Sequence, residues 1–129
     1  MVFIYDSGYL YRYVDSAELC FVLKNGIVYS TKNPKGTYWT TLFTDSALIA
    51  RNWLAIDKRE FFRIGGFRLV DIDPRHIKYS GIVKPSGKFK GGAIEILIDI
   101  PIPIISIYDM TRGRQIGSYM DISDPTLCR

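Results

Sequence analysis

The chain has 129 residues, 47% hydrophobic and 23% charged, which fits one globular domain over 1–129 and excludes a disordered chain or one too small to fold without disulfides or metal. Its net charge of +4 favours an anionic partner, whether nucleotide, nucleic acid, acidic protein or membrane surface, but the Lys and Arg are scattered and choose none of these. Cys20 and Cys128 fit no metal spacing; Cys20 reads as a core thiol, Cys128 as an exposed one, and a reduced, cytoplasmic setting is expected.

Leu10-Tyr11-Arg12-Tyr13-Val14 is a β-favouring run with Arg12 at its centre. An Arg there calls for a carboxylate, a phosphate or open solvent. Asp15 and Glu18 have capping-box spacing, so a helix starts at Asp15. Leu19, Val22 and Leu23 give it an apolar stripe, and Asn25-Gly26 ends it. Ile27 to Ser30 reads as a short strand and Asn33 to Gly36 as a turn. Thr37-Tyr38-Trp39-Thr40-Thr41 is an aromatic, β-branched strand that either packs a flat ligand or fills a core. Thr44-Asp45-Ser46 offers caps for a second helix, with Ala47, Ala50, Trp53 and Leu54 on one face.

Lys58 to Phe62 is a charged connector, and Gly65-Gly66 is expected to break the chain. Phe67 to Ile72 reads as a strand closed by Pro74. His76 is the single histidine; a lone His is more often a surface residue than a catalyst. Ile82 to Pro85 is extended, and the loop Ser86 to Gly92 follows. The chain then runs Lys88-Phe89-Lys90-Gly91-Gly92-Ala93-Ile94-Glu95-Ile96-Leu97-Ile98, from a basic glycine loop into an apolar strand whose first charge is Glu95. That carboxylate is paired, aimed into a cleft, or on an open strand face. Glycines just before it allow a backbone or ligand to come close. Pro101 and Pro103 mark a bend or sheet edge, Ile104 to Tyr108 a last strand, Arg112 to Arg114 a turn, and the tail from about 112 is expected to be weakly ordered.

The longest apolar stretch, Ile94 to Ile107, is interrupted by Glu95, Asp99, Pro101 and Pro103 and cannot be a membrane helix. The start of the chain lacks the charged-then-apolar pattern of a secretory signal. The predicted class is α+β, with two helices early and a mainly antiparallel sheet.

Three pieces in order, Tyr11 to Val14, Tyr38 to Thr41 and Gly91 to Glu95, resemble the Arg, Ser/Thr, Glu pattern of ADP-ribosyltransferase-fold toxins. The closest likeness is to the small C-terminal modules of bacterial polymorphic toxins, and it spans about residues 10 to 105. It implies an ADP-ribosyltransferase-like split β core and NAD as substrate. Arg12 and Glu95 would then face one cavity, with Arg12 holding the anionic dinucleotide. Tyr38 and Trp39 would hold the nicotinamide, Thr40 would orient the carboxylate, Gly92 would line the site, and Glu95 would stabilise the ribose oxocarbenium. No metal is implied. The setting would be competition between bacteria: an effector delivered as part of a larger secreted toxin, with a cognate immunity protein as partner. Many members have Glu or Gln two residues before the catalytic Glu, where it selects the acceptor. Ala93 stands there in this chain, so the acceptor is left open and water becomes more plausible. The Lys-bearing loop, nine Tyr and His76 also suit a small RNase-type toxin or RNA-binding module, and a plain interaction domain would use the same exposed Tyr.

Overall fold

The computed structural model describes residues 5–25, 27–28, 36–56 and 62–116. The fold is α+β. Strand β1 (Tyr5–Val14) is followed by helix α1 (Ser16–Asn25), the short β2 (Ile27–Val28), β3 (Thr37–Phe43), helix α2 (Ala47–Leu54) and β4 (Phe62–Arg68). Then come β5 (Ile77–Ile82), β6 (Ile94–Ile98), β7 (Ile102–Pro103), β8 (Ser106–Asp109) and β9 (Arg114–Gln115). Seven strands form one antiparallel sheet in the order β5-β6-β3-β1-β4-β8-β9, and β2 pairs with β7 apart from it. No described helix is long and apolar enough to cross a membrane.

Asp15 caps α1 as its spacing predicts: its carboxylate accepts from the Glu18 N–H at 2.9 Å. The stripe Leu19, Val22, Leu23 is buried. It packs on one sheet face against Leu10, Val14, Trp39, Ile64, Ile96, Ile98 and Ile107 to make the main core. Ser46 caps α2 by accepting from the Ile49 N–H at 3.2 Å. On the other face, Ala50 of this helix packs with Tyr13 and Met110. Leu54 and Ala55 pack there with Leu42, Val83 and Ala93. Arg63 fixes the entry to α2. Its guanidinium lies over the rings of Phe43 and Tyr108, 4.1 and 4.6 Å from their centroids, and donates to the Thr44 carbonyl and the Asp45 carboxylate. Tyr13 donates its hydroxyl to the Leu42 carbonyl, and burial holds its pKa well above the ordinary phenol range.

Several expectations are corrected. Gly65-Gly66 does not break the chain; both glycines lie inside β4. A Cβ on Gly66 would stand 3.0 Å from Ile102 and 3.1 Å from Trp39, so glycine serves close packing rather than a turn. The strand expected over Phe67 to Ile72 ends at Arg68 and gives way to a 3-10 turn over Leu69–Asp71. A strand not expected from sequence, Ile77–Ile82, leads into the extended piece before the glycine loop. Cys20 is disulfide-bonded rather than a free core thiol, which removes the basis for expecting a reduced compartment. Gly26, Tyr29-Ser30, the Asn33 to Lys35 part of the turn, the connector residues Lys58 to Phe61, Cys128 and the rest of 117–129 lie outside the described residues.

Candidate active site

Side chains of a strand alternate between faces, and residues directly paired across strands share a face. These two rules place Arg12, Tyr38, Trp39, Thr40 and Glu95. Arg12 lies between Leu10 and Val14 on β1 and pairs with Ile64, so it belongs to the α1 face. There its guanidinium makes a two-pronged bond to the Glu18 carboxylate, one prong at 3.1 Å. A further N–H donates to the Tyr38 carbonyl at 2.7 Å. Arg12 thus ties the first turn of α1 to β3. Glu18 holds its predicted helix position, but its carboxylate turns to Arg12. Trp39 is on the same face, 2% exposed and part of the main core. Its indole Nε1 has no hydrogen-bond partner among the described residues.

Glu95 is on the other face. Its neighbours Ile94 and Ile96 both pack into the main core, which turns Glu95 to the α2 side. It stands directly opposite Gly81 of β5. The expected cavity shared by Arg12 and Glu95 therefore does not form, because the sheet separates them. Trp39 is likewise separated from Tyr38 and cannot hold a ring beside Glu95. Both assignments to dinucleotide binding are corrected.

What does gather on the Glu95 face is a row of three residues across three strands. Tyr38 of β3 pairs with Leu97 of β6, which pairs with Tyr79 of β5. Tyr38 and Tyr79 are 42% and 43% exposed, two rings presented to solvent on either side of a buried leucine. Tyr79 folds back across Gly81, where a Cβ would collide with its hydroxyl oxygen. Its ring end thus lies over the residue opposite Glu95. The Glu95 carboxylate is half-buried and makes no hydrogen bond or ion pair among the described residues. Thr40 is on this face through its pairing with Tyr11, but its hydroxyl accepts from the Leu42 N–H at 3.1 Å and its side chain is buried. No bond from Thr40 to Glu95 is present among the described residues.

The glycine loop lies just beyond Glu95 and is fastened to the end of α2. Gly91 N–H donates to the Asn52 carbonyl, Ala93 N–H to the Trp53 carbonyl, and Lys90 N–H to the Asn52 side chain, at 2.9, 3.2 and 2.8 Å. Gly92, at φ +105°, faces Trp53, which a Cβ would meet at 3.6 Å. The positive φ explains the glycine. Anchored on three bonds, this loop is a fixed border rather than a free flap.

Two residues past Leu97, Asp99 continues on the same side, since Ile98 and Ile100 both pack on the main core. Its carboxylate holds His76 Nδ1 at 2.9 Å and Lys78 Nζ at 3.3 Å. Its partial desolvation is outweighed by these two hydrogen bonds and their charges, so its pKa lies below the usual carboxylate value. Sequence did not single out Tyr79, Gly81, Lys78 or Asp99. The Tyr79–Gly81 spacing on one strand was a readable signal; the 23-residue separation of His76 and Asp99 was not. No group of three or more His, Cys, Asp and Glu suited to a metal ion occurs among the described residues. The face offers an unpaired carboxylate, two exposed phenol rings to pack a flat ligand, and a His-Lys-Asp cluster at its far end. No family model, curated protein or solved structure matches this chain.

Proposed function

We propose that the chain is an NAD-cleaving enzyme of toxin type, an ADP-ribosyltransferase or NAD glycohydrolase, whose site is the Glu95 face alone. The observation that carries this reading is the half-buried Glu95 carboxylate, unpaired among the described residues and set beside the exposed Tyr38 and Tyr79 rings. A half-buried carboxylate that its own chain leaves unpaired is free to face positive charge on a ligand. In the proposed reaction the bond from ribose C1′ to the nicotinamide nitrogen breaks. Its electron pair leaves with nicotinamide and cancels the charge on that ring. Positive charge develops on the ribose, and Glu95 stabilises it electrostatically. An acceptor then attacks C1′ and loses its proton. Ala93 is buried and apolar, so no acidic side chain stands two residues before Glu95 to select a macromolecular acceptor, which favours water. Arg12 acts in this scheme by holding α1 to β3, not on the dinucleotide.

The toxin setting, with delivery inside a larger secreted protein and a cognate immunity protein, is part of the same proposal; the disulfide at Cys20 accords with passage through an oxidising compartment. The test is nicotinamide release from NAD by the purified chain and its Glu95→Gln variant. Release that depends on Glu95 supports the reading, and none from the wild type overturns it.

The Tyr38–Leu97–Tyr79 row with His76 beside it favours a second reading as an RNase or RNA-binding module, since exposed rings on a sheet face stack unpaired bases. Salt-sensitive binding of single-stranded RNA, with cleavage lost in His76→Ala and no nicotinamide release, would select it.

A further inference from the structure

We propose that His76 and Lys78 form the diphosphate-binding end of the Glu95 face. The inference rests on the NAD reading and fills the anion-holding role that Arg12 vacates. A dinucleotide cleaved at Glu95 carries its diphosphate away from the ribose, and something cationic must meet it on the same face. Arg12 is on the other side of the sheet, bonded to Glu18 and Tyr38. Lys88 belongs to the opposite end of the face, with its ammonium over the Phe89 ring at 5.5 Å. The β5 cluster is on that face: four residues of extended chain, about 13 Å, separate Glu95 from Asp99, with the tyrosine row between them.

The cluster is also built in a way that suits an anion. Asp99 takes His76 through Nδ1, which fixes the ring with Nε2 directed away from the carboxylate. Protonated, the imidazole offers that Nε2–H to an incoming oxygen. Lys78 is half-exposed and shares Asp99 at 3.3 Å, a contact loose enough to leave donors for a second anion. Asp99 thereby positions both side chains without touching the ligand itself.

ADP is the probe, because it carries the diphosphate without nicotinamide. Its affinity is to be measured calorimetrically for the wild type, His76→Gln, Lys78→Met and the double variant Lys88→Met/Lys90→Met, alongside KM and kcat for nicotinamide release. The first two variants should bind ADP about tenfold more weakly, the loss expected of one charge-assisted contact. Their KM for NAD should rise and kcat should hold. The loop double variant should stay near wild type. No ADP binding by the wild type, equal binding by all variants, or loss in the loop variant instead overturns the subsite. The two proposals fail separately. Glu95-dependent release with KM indifferent to His76 and Lys78 removes the subsite and leaves the enzyme. ADP binding that needs both residues in a chain releasing no nicotinamide leaves the subsite and removes the enzyme.

Discussion

Arg12 and Glu95 are both charges inside apolar strands, and the two faces of the sheet treat them differently. On the α1 face Arg12 meets a carboxylate and a carbonyl supplied by the fold. On the α2 face Glu95 meets no partner among the described residues; beside it are a glycine and, one row along, two exposed rings. A strand charge completed by its own chain has a structural reason to exist. One left incomplete on an accessible face stays open to water and to a ligand.

The sharpest way to break this comparison is Glu95→Gln. The amide keeps shape and volume and removes the negative charge. Nicotinamide release should fall by about 100- to 1000-fold, as when one well-placed electrostatic group is lost. The melting temperature should hold, because Glu95 has no bond to lose. A folded variant with wild-type turnover would make Glu95 an ordinary strand residue, no different in kind from Arg12.

Arg12→Met should do the converse. It leaves the Glu18 carboxylate without its cation and the Tyr38 carbonyl without its donor. Both partners keep some solvent, with side-chain exposures of 25% and 28% for Arg12 and Glu18, so the cost should be about 1–3 kcal/mol. That corresponds to a fall of roughly 5 °C or more in melting temperature. Measured on the folded fraction, KM for NAD should not move. A raised KM with an unchanged melt would return Arg12 to the ligand.

The contrast also marks how far sequence could be read. The caps at Asp15 and Ser46, the Leu19-Val22-Leu23 stripe and the strand carrying Glu95 were legible because each follows from local spacing. Gly65-Gly66 is ambiguous in sequence, because a glycine pair in a turn and one under a tryptophan look alike until the strand packed against them is known. Order along the chain puts Arg12 and Trp39 in one cavity with Glu95, but it carries no information about face. Face is set by register across three strands, and register is not local. Arg12 pairs with Ile64 and Trp39 with Ile96, and once those pairings are fixed, both residues face away from Glu95. The Asp99 cluster was invisible for the same reason, since its members meet only when β5 and β6 align.

The finest test of the open face is Gly81→Ala, which touches neither charge. Gly81 is opposite Glu95 on the edge strand β5, and the Tyr79 ring occupies the space its side chain would take. The neighbour to be displaced is the far end of a half-exposed side chain, free to swing toward solvent. Ala also suits a strand interior better than Gly, by roughly 0.5–1 kcal/mol, so stability should hold or rise slightly. The consequence should appear in the ligand instead. With Tyr79 moved off Gly81, one wall of the tyrosine row shifts beside Glu95, and KM for NAD should change a few-fold while Glu95 keeps its charge and kcat changes less. The control is Tyr79→Leu, which removes the ring outright and should change KM in the same direction and further. If Gly81→Ala and Tyr79→Leu both leave KM alone, the ring is surface decoration. The carboxylate would then have to work without the aromatic row that distinguishes its face from the one holding Arg12.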